Sequence, residues 1–471
     1  MIIGAVILVI VIGIIFFVVN PFKQGEETEG GESQAGIKES AQAFPKELRE
    51  SSIPFFGVQE DFDKENDIAS LTPEDWRVLS PILSRTDYFI WNLIEPSKGE
   101  FDFTTTDKTV SDAFDSWIVI SAQLWPYALW DQEGKEECRV PENIRGESNH
   151  LFEKFPDYRC KPQDMEAYKS FLKELVERYD GDDDFGNYPI DDSLKDKIKQ
   201  NPIIYWEIMN EIDIGPFFIG TLKDYVEILK NSYEAIKEVC EECQIIIAHP
   251  RLEVGEDETK NYYSALIPLG AKDYFDIYHV CDSMDSLREV IGTIDKPVVT
   301  FESGGGMLSD SARIAITYAA DGFSACITSM VPDEFKYGLK KISENPEREE
   351  EFFKEYLVDK EGSKTLQYYA LQTLATELGY FERGKVESYE VKEGVSGFKF
   401  SFKDKSPIYV FFIGKGAWGV DNPALKLGNE QETLSLDFEK FLVKDLYGNE
   451  ETKSKSFTLQ KDNVYFVTEI K

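Results

Sequence analysis

Residues 203–211 read Ile-Ile-Tyr-Trp-Glu-Ile-Met-Asn-Glu, an apolar run that ends in Asn210 and Glu211. Residues 297–301, Pro-Val-Val-Thr-Phe, form a similar run that ends in Glu302. Short apolar runs of this kind are typical of buried strands in a parallel sheet. A buried carboxylate is costly unless it is paired or used, so we expect both glutamates where a strand ends and a loop begins.

Six further apolar runs accompany these two, and sequence typical of helices separates them. Thr72 with Pro73 predicts a helix start, and residues 167–179 place their apolar side chains on one helical face. Repeated strand–helix units favour a (β/α)8 TIM barrel over residues 51–380. A doubly wound sheet is the alternative, but no Gly-rich dinucleotide fingerprint follows the first strand. The predicted strands are 54–58, 88–91, 117–120, 203–206, 244–247, 275–278, 297–301 and 323–327.

After about residue 385 the pattern changes to alternation without helices. This pattern predicts a small C-terminal antiparallel β-sandwich domain over residues 381–471, packed on the side of the barrel. A carbohydrate-binding role is the alternative for this domain. Its predicted strands are 386–389, 397–402, 408–413, 434–438, 457–459 and 464–467.

The first 50 residues differ from the rest of the chain. Residues 1–19 carry no charged side chain, which predicts a transmembrane helix over residues 1–20. No basic segment precedes it, so we favour an uncleaved anchor over a cleaved signal peptide. Residues 21–50 are rich in Gly, Glu and Ser and predict a flexible linker. We expect a membrane-anchored protein whose catalytic domain is extracellular.

Composition and cysteines limit the partners further. The formal net charge is −37, which argues against nucleic acid as a partner, and 42% hydrophobic residues exclude global disorder. Cys138 and Cys160 bracket a polar stretch and predict a disulfide that an oxidising exterior permits. Zinc is the rival for Cys240 and Cys243, but no second pair at zinc spacing accompanies them. We expect no metal and no cofactor, and the oligomeric state stays open.

Two carboxylates facing each other at the barrel mouth would have their proton affinities pushed apart. One can stay protonated as a general acid while the other is an ionised nucleophile. Cleavage of a glycosidic bond with retention needs this pairing, with the carboxyls about 5 to 5.5 Å apart.

Four segments resemble a known family. Residues 206–211 (WEIMNE) and 296–304 (KPVVTFESG) look like the paired signatures of the clan A glycoside hydrolases, a retaining superfamily that includes cellulases, mannanases, xylosidases and β-galactosidases. Residues 91–103 resemble its strand-two segment, and residues 177–182 resemble a stretch before strand four. The four segments occur in the family's order along the whole barrel.

The resemblance implies a role for each residue at a matching position. Glu211 would be the acid/base, Glu302 the nucleophile, and Asn210 a partner of the hydroxyl beside the anomeric carbon. His279 would line the substrate site, although Cys281 stands where the family often has a Tyr that orients the nucleophile. The family's strand-two Arg is not obvious, because Arg85 lies before the predicted strand. The Trp often found after strand eight is missing as well.

Other residues at predicted strand ends are candidates for substrate binding. Aromatic faces stack on sugar rings, so Trp91, Trp125, Tyr127 and Trp130 could form platforms, with core packing as the alternative. Glu60, Asp61 and Glu95 could bind sugar hydroxyls, whereas Glu207 is expected to pair with an Arg or Lys inside the barrel. Residues 180–186 superficially resemble a calcium loop, but the Gly falls one place late and no final Glu follows.

Together these features predict a retaining glycoside hydrolase that cleaves β-glycosidic bonds of an oligo- or polysaccharide. The alternative is a catalytically inactive, surface-displayed glycan-binding protein, which the missing Arg and Trp would favour. Transglycosylation would use the same two glutamates. Loop lengths decide which sugar is bound, so the sequence leaves the substrate open.

Overall fold

A computed structural model provides the structure of the chain, and the described residues belong to one compact unit, Ala43–Lys471. Residues 1–53 lie outside the described part, including the expected transmembrane helix and linker. Among the described residues, no helix is both long and apolar enough to span a membrane. The structure describes residues 54, 56–59, 71–80, 82–141, 155–212, 217–248, 258–280, 284–303, 312, 316, 323–327, 357–358, 363–381, 385–389, 391–414, 431–461 and 463–470.

Eight parallel strands form the first sheet, in the order β5-β4-β3-β2-β1-β8-β7-β6. Its two end strands are joined by a parallel bridge between Ile246 and Ile277, so the sheet curls into a TIM-barrel-like domain. The strands are β1 (Phe56–Gln59), β2 (Ile82–Ile90), β3 (Ile118–Trp125), β4 (Tyr205–Ile208), β5 (Gln244–Ile247), β6 (Tyr278–His279), β7 (Val298–Ser303) and β8 (Phe323–Ile327).

Helices separate these strands along the chain. Thr72 caps the first helix with a reciprocal hydrogen-bond pair to Asp75, which confirms the predicted helix start. The described helices are α1 (Pro73–Leu79), α2 (Trp91–Ile94), α3 (Thr104–Asp115), α4 (Leu129–Gln132), α5 (Met165–Tyr179), α6 (Asp192–Gln200), α7 (Leu222–Val239), α8 (Glu258–Leu266), α9 (Met284–Ile291) and α10 (Leu366–Leu378).

Apolar side chains fill the barrel in two sets. The larger set lies between the strands and the surrounding helices, as the outward-facing residues of buried parallel strands require. The smaller set is a separate cluster on the opposite, inward side of the strands. Its buried members are Leu83, Phe114, Val119, Tyr205, Ile246, Ile277, Val299 and Phe301.

Each predicted barrel strand overlaps an observed one, although the sixth does so only at Tyr278, and one wrong boundary affects the site. We expected the second strand at 88–91, whereas β2 begins at Ile82 and ends at Ile90. Arg85 therefore lies inside the strand instead of before it. The polar residues Ser84, Arg85 and Thr86 hid the strand, because all three are buried by the rest of the barrel.

The C-terminal domain is an antiparallel sheet domain with two layers. Six strands form one sheet in the order β14-β13-β16-β11-β10-β9, and β12 pairs with β15 in the other. Strands β13 and β14 were not predicted, because neither alternates: β13 begins with three consecutive apolar residues, and β14 is entirely polar. The strands are β9 (Val386–Ser388), β10 (Val395–Phe400), β11 (Ile408–Ile413), β12 (Gln431–Ser435), β13 (Phe441–Asp445), β14 (Glu450–Lys453), β15 (Ser456–Gln460) and β16 (Tyr465–Glu469).

Alternation along β11 explains how this domain attaches. Val410 and Phe412 join the large barrel core, which also contains Leu374 of α10. Phe411 and Ile413 face the other way and form a separate core with the β12–β15 pair. Packing of the domain against the barrel is therefore confirmed.

Two disulfides lie in the described part of the chain. Cys138 is bonded to Cys160, as predicted, and Cys240 is bonded to Cys243. The first closes the loop that leads into α5, and the second closes the turn between α7 and β5. The Cys240 and Cys243 sulfurs are thus bonded to each other.

Candidate active site

Strand β4 ends in a turn with unusual backbone geometry. Met209 has a φ of 67° and Glu211 a φ of 40°, both in the left-handed region that residues other than glycine rarely adopt. Met209 is fully buried, and its N–H donates to Leu124 O of β3 at 3.0 Å, which holds the turn against the neighbouring strand. Such strain persists only where the surroundings impose it, and it is common at functional sites.

This turn determines the environments of Asn210 and Glu211. Glu211 is half-buried at the carboxyl end of β4. Asn210 is only 6% exposed, and its Oδ1 has no hydrogen-bond partner within the described structure. An unpaired buried carbonyl oxygen is costly, so it is suited to a polar ligand that supplies a donor.

Strand β7 is also irregular where it carries its glutamate. Its pairing with β8 is regular up to Thr300, shifts by one residue, and resumes at Ser303. Phe301 belongs to the inward cluster, so regular alternation would turn the next residue, Glu302, away from the interior. An extra residue in a strand changes this alternation and redirects side chains, often beside active sites. The backbone of Glu302 lies in this irregular segment; its side chain is outside the described structure.

A buried ion pair lies one layer below these strand ends. Arg85 donates from Nε to Glu207 Oε2 at 2.7 Å and from Nη2 to Oε1 at 2.8 Å. Both side chains are almost fully buried, at 1% and 0% exposure. The Gln123 amide lies within hydrogen-bond distance of both groups. The expectation that Glu207 pairs with an Arg inside the barrel is confirmed.

His279 extends this network from β4 to β7. Its Nδ1 lies 2.9 Å from Glu207 Oε1, and its Nε2 accepts from the backbone N–H of Phe301 at 3.3 Å. Because Nε2 faces a donor, the ring proton must sit on Nδ1, which donates to Glu207. Both nitrogens have protein partners and the ring is fully buried. The structure therefore corrects the expectation that His279 binds substrate.

Burial sets the ionisation of this network. It lowers the pKa of His279 well below its usual value, and the nearby Arg85 charge lowers it further, so the imidazole is neutral. Burial also raises the pKa of Glu207, and the Arg85 guanidinium opposes that rise. Three N–H donors converge on the two Glu207 oxygens, and that geometry favours the ionised carboxylate.

Tyrosines from the helices hold the neighbouring strand ends. Tyr225 OH of α7 accepts from Ala248 N–H at 2.8 Å and donates to Ile208 O at 3.3 Å, so it joins the ends of β4 and β5. Tyr263 OH of α8 donates to His279 O at 2.8 Å and accepts from the His279 N–H at 3.1 Å. These bonds fix the backbone on both sides of the buried network.

Two predicted sugar-binding residues lie in the core instead. Trp91 is fully buried, stacks on Phe171 and donates from its indole N–H to Glu95 at 2.6 Å. Glu95 is 4% exposed, and its other oxygen accepts from the Gly99 N–H at 2.6 Å. Neither side chain offers a free surface to a sugar, which corrects both expectations.

The remaining aromatic candidates follow β3. Trp125 ends the strand and is fully buried, with its ring stacked on Phe217 at 5.5 Å and 15°. Tyr127 is buried as well and donates to the Phe217 carbonyl. Trp130 is half-buried and borders an open cleft of about 630 Å³ with Lys98 and Asp164. Glu60 lies outside the described residues, so its role stays a prediction.

Comparison with solved structures agrees with this architecture. A family 39 glycoside hydrolase from Bacteroides cellulosilyticus WH2 matches with a TM-score of 0.55 at 13% identity, over 88% of this chain and 81% of that chain. A glucosidase from Croceicoccus marinus matches with a TM-score of 0.56 at 12% identity, over 89% and 97%. The catalytic domain of the family 30 xylanase C from Talaromyces cellulolyticus matches with 0.52 at 14% identity, over 88% and 97%.

The chain shares its fold with these glycoside hydrolases. At these low identities the likeness concerns the fold, and the chemistry must be argued from the site. No protein-family profile matches the sequence, and no curated protein is significantly similar to it.

Sequence reasoning missed the contribution of Arg85. Leu83 and Arg85 are two residues apart and point to the same inward face, which is the signal that could have placed Arg85 in the barrel. The pairing itself joins residues 122 positions apart, so no local pattern reveals it.

Proposed function

We propose that the protein is a retaining glycoside hydrolase that cleaves β-glycosidic bonds of oligo- or polysaccharides by double displacement. The strained turn of β4 carries the proposal: it holds a half-buried Glu211 next to Asn210, whose Oδ1 has no partner in the described structure. The irregular end of β7 at Glu302 and the glycoside hydrolase fold support it further. In TIM barrels the active site lies at this carboxyl end of the strands.

In the proposed mechanism, Glu302 attacks the anomeric carbon while Glu211 donates its proton to the departing glycosidic oxygen. The products of this step are the free leaving group and a glycosyl ester of Glu302. Glu211, now ionised, then takes a proton from water as the water attacks the anomeric carbon and releases Glu302. Two inversions give net retention. In this mechanism Asn210 binds the hydroxyl beside the anomeric carbon.

Variants of the two glutamates test this assignment with substrates of graded leaving-group ability. We expect Glu302→Gln to abolish turnover of all β-linked aryl glycosides and polysaccharides. Glu211→Gln should slow substrates with poor leaving groups by about 10²- to 10⁴-fold, because they need protonation. It should affect dinitrophenyl glycosides far less in the bond-breaking step, since their leaving group departs as an anion.

The control is Glu74→Gln, since the Glu74 side chain is 75% exposed and pairs with Arg77 one turn along α1. It should leave turnover unchanged. Full activity in Glu302→Gln, or equal loss for all leaving groups in Glu211→Gln, would contradict the proposed roles of the two glutamates. Proton NMR of the first product formed should show the β-anomer, and an α-anomer would exclude retention.

The same assay addresses the alternative functions. Binding to glycans without turnover by the wild type would favour the glycan-binding protein. Products longer than the substrate would indicate transglycosylation through the same glutamates.

We further propose that the N-terminal segment anchors the protein to a membrane with its catalytic domain outside the cell. Two disulfides in the described part of the chain support an oxidising location. The full-length protein should sediment with membranes and be released by detergent but not by alkaline carbonate. Release by carbonate would exclude an integral anchor.

A further inference from the structure

Phe301, the residue directly before Glu302, is held on several sides. Its N–H donates to His279 Nε2 at 3.3 Å, and the two rings meet edge to face at 4.9 Å and 89°. The Arg85 guanidinium carbon lies 5.2 Å from the centre of its ring. The ring is fully buried. The irregular part of β7 therefore begins at a residue that the buried network contacts through both its backbone and its side chain.

Glu207 determines whether this backbone bond can form. As an acceptor 2.9 Å from Nδ1, it keeps the ring proton on that nitrogen. Nε2 then has a free lone pair for the Phe301 N–H. If the proton moved to Nε2, two N–H groups would face each other, and the Phe301 N–H would lose its acceptor in a fully buried site.

We propose that Glu207 is a positioning residue for Glu302: through the tautomer of His279 it fixes the backbone from which the nucleophile projects. This proposal rests on the proposed function for the role of Glu302. In this chain the orienting contact runs below the strand end, from Glu207 through His279 to Phe301.

A purely structural role explains the network less well. A buried ion pair can often be replaced by apolar residues of similar volume without loss of stability, so stability alone does not require it. A neutral imidazole with both nitrogens engaged adds no charge neutralisation to the Arg85–Glu207 pair. What it adds is a link from β6 to both neighbouring parts of the site: one hydrogen bond to Glu207 of β4 and one to Phe301 of β7.

The test combines kinetics with a direct measurement of the His279 tautomer in the Glu207→Gln variant. The chain has three histidines, so ¹⁵N-histidine labelling gives three ring spin systems, and the His279→Gln variant assigns the one of interest. In the wild type we expect a protonated Nδ1 and an unprotonated Nε2 that do not titrate between about pH 5 and 8. In Glu207→Gln this tautomer preference should weaken, and kcat should fall by about 100-fold with little change in KM.

Asp107→Asn is the matched control. Asp107 also receives a bidentate pair of hydrogen bonds from a buried arginine, Arg178, at 2.8 and 2.7 Å. This pair joins helices α3 and α5, and among the described residues no hydrogen bond or ion pair links it to β7. Asp107→Asn should lower the melting temperature, whereas the His279 tautomer and kcat should stay as in the wild type. An effect on kcat equal to that of Glu207→Gln would show that loss of stability alone explains the result.

A second pair of variants keeps the proposal testable if Glu207→Gln does not fold. His279→Gln can offer an amide oxygen to the Phe301 N–H, whereas His279→Leu cannot. We expect kcat to be substantially higher in His279→Gln than in His279→Leu. Equal kcat values in the two variants, or a folded Glu207→Gln variant with unchanged tautomer or kcat, would overturn the proposal. Absence of turnover in the wild type would instead contradict the proposed function, and the tautomer measurement would still decide whether Glu207 controls His279.

Discussion

Glu207 is a carboxylate with no exposure to water, and its stability depends on one side chain. Arg85 supplies two hydrogen bonds to Glu207 and the only opposite charge beside it within the described structure. Removing one member of a buried ion pair leaves the other uncompensated, which costs more than the intact pair contributes. The effects of substituting Arg85 and Glu207 on the free energy of unfolding should therefore be coupled.

We predict that Arg85→Met lowers the free energy of unfolding by about 3–5 kcal/mol, because Glu207 would remain buried without its partner. Urea denaturation of the purified variant measures this loss. Arg85→Met combined with Glu207→Leu should recover most of the stability, since no charge is then buried. The double variant should remain impaired in turnover because His279 has lost its acceptor. A double variant that is as unstable as Arg85→Met would show that the two residues are not coupled.

At the scale of an element, the C-terminus of helix α5 is an unfavourable place for the negative charge of Asp180. Asp180 is its C-cap residue, 6% exposed, and the negative end of the helix dipole lies beside it. Burial raises the pKa of Asp180 from 3.8 to about 7, and the nearby charges of Asp182 and Glu177 add to that rise. Between about pH 4 and about pH 7, the folded protein therefore keeps a proton on Asp180 that the unfolded chain has already released.

The sign of the pH effect follows from this raised pKa. The stability contributed by protonated Asp180 is fully present below its unfolded pKa of 3.8 and is lost as the pH rises to about 7. Asp180→Asn cannot ionise and keeps an acceptor for the Asp182 N–H. We predict that the variant matches the wild type near about pH 4 and is more stable above about pH 7, by at least about 1 kcal/mol.

Thermal unfolding at several pH values measures this difference. Asp183→Asn is the control in the same turn, because Asp183 is exposed and its hydrogen bond from Lys199 lowers its pKa. It should not stabilise the protein at high pH. A gap between Asp180→Asn and the wild type that does not change with pH would contradict the raised pKa.

At the scale of the whole molecule, two features stand out. One apolar core extends from the barrel through α10 into the C-terminal sheet, and polar contacts cross the same boundary. Lys444 of β13 pairs with Glu377 of α10 at 2.6 Å, and Lys405 donates to the Glu377 carbonyl at 2.9 Å. The second feature is the net charge of −37. The excess carboxylates repel one another in the folded protein and so oppose its compact state.

This repulsion predicts a salt dependence. Raising sodium chloride from about 0.02 M to about 0.5 M shortens the screening length several-fold, so the melting temperature should rise by a few degrees. Differential scanning calorimetry measures the shift. A falling melting temperature would show that attractive surface ion pairs outweigh the net repulsion.

Much of the fold was predictable because it is encoded locally. Most barrel strands contain a short apolar run, and helices can show a local signal of their own, as at the Thr72 cap. The ends of β4 and β7 were predictable for the same reason, since Glu211 and Glu302 follow directly on such runs. The start of strand β2 was predicted wrongly, because the burial of Ser84, Arg85 and Thr86 depends on neighbours far away in sequence.

Local sequence patterns were enough to establish the order of the strands, the candidate glutamates at their ends and the change to an antiparallel domain. The three-dimensional packing was needed to show that Arg85 pairs with Glu207, that His279 is a buried link to Phe301, and that Trp91 and Glu95 belong to the core. The physical reason is distance along the chain. Local patterns select helix or strand, whereas curling of the sheet decides which inward side chains meet and which are shielded from water.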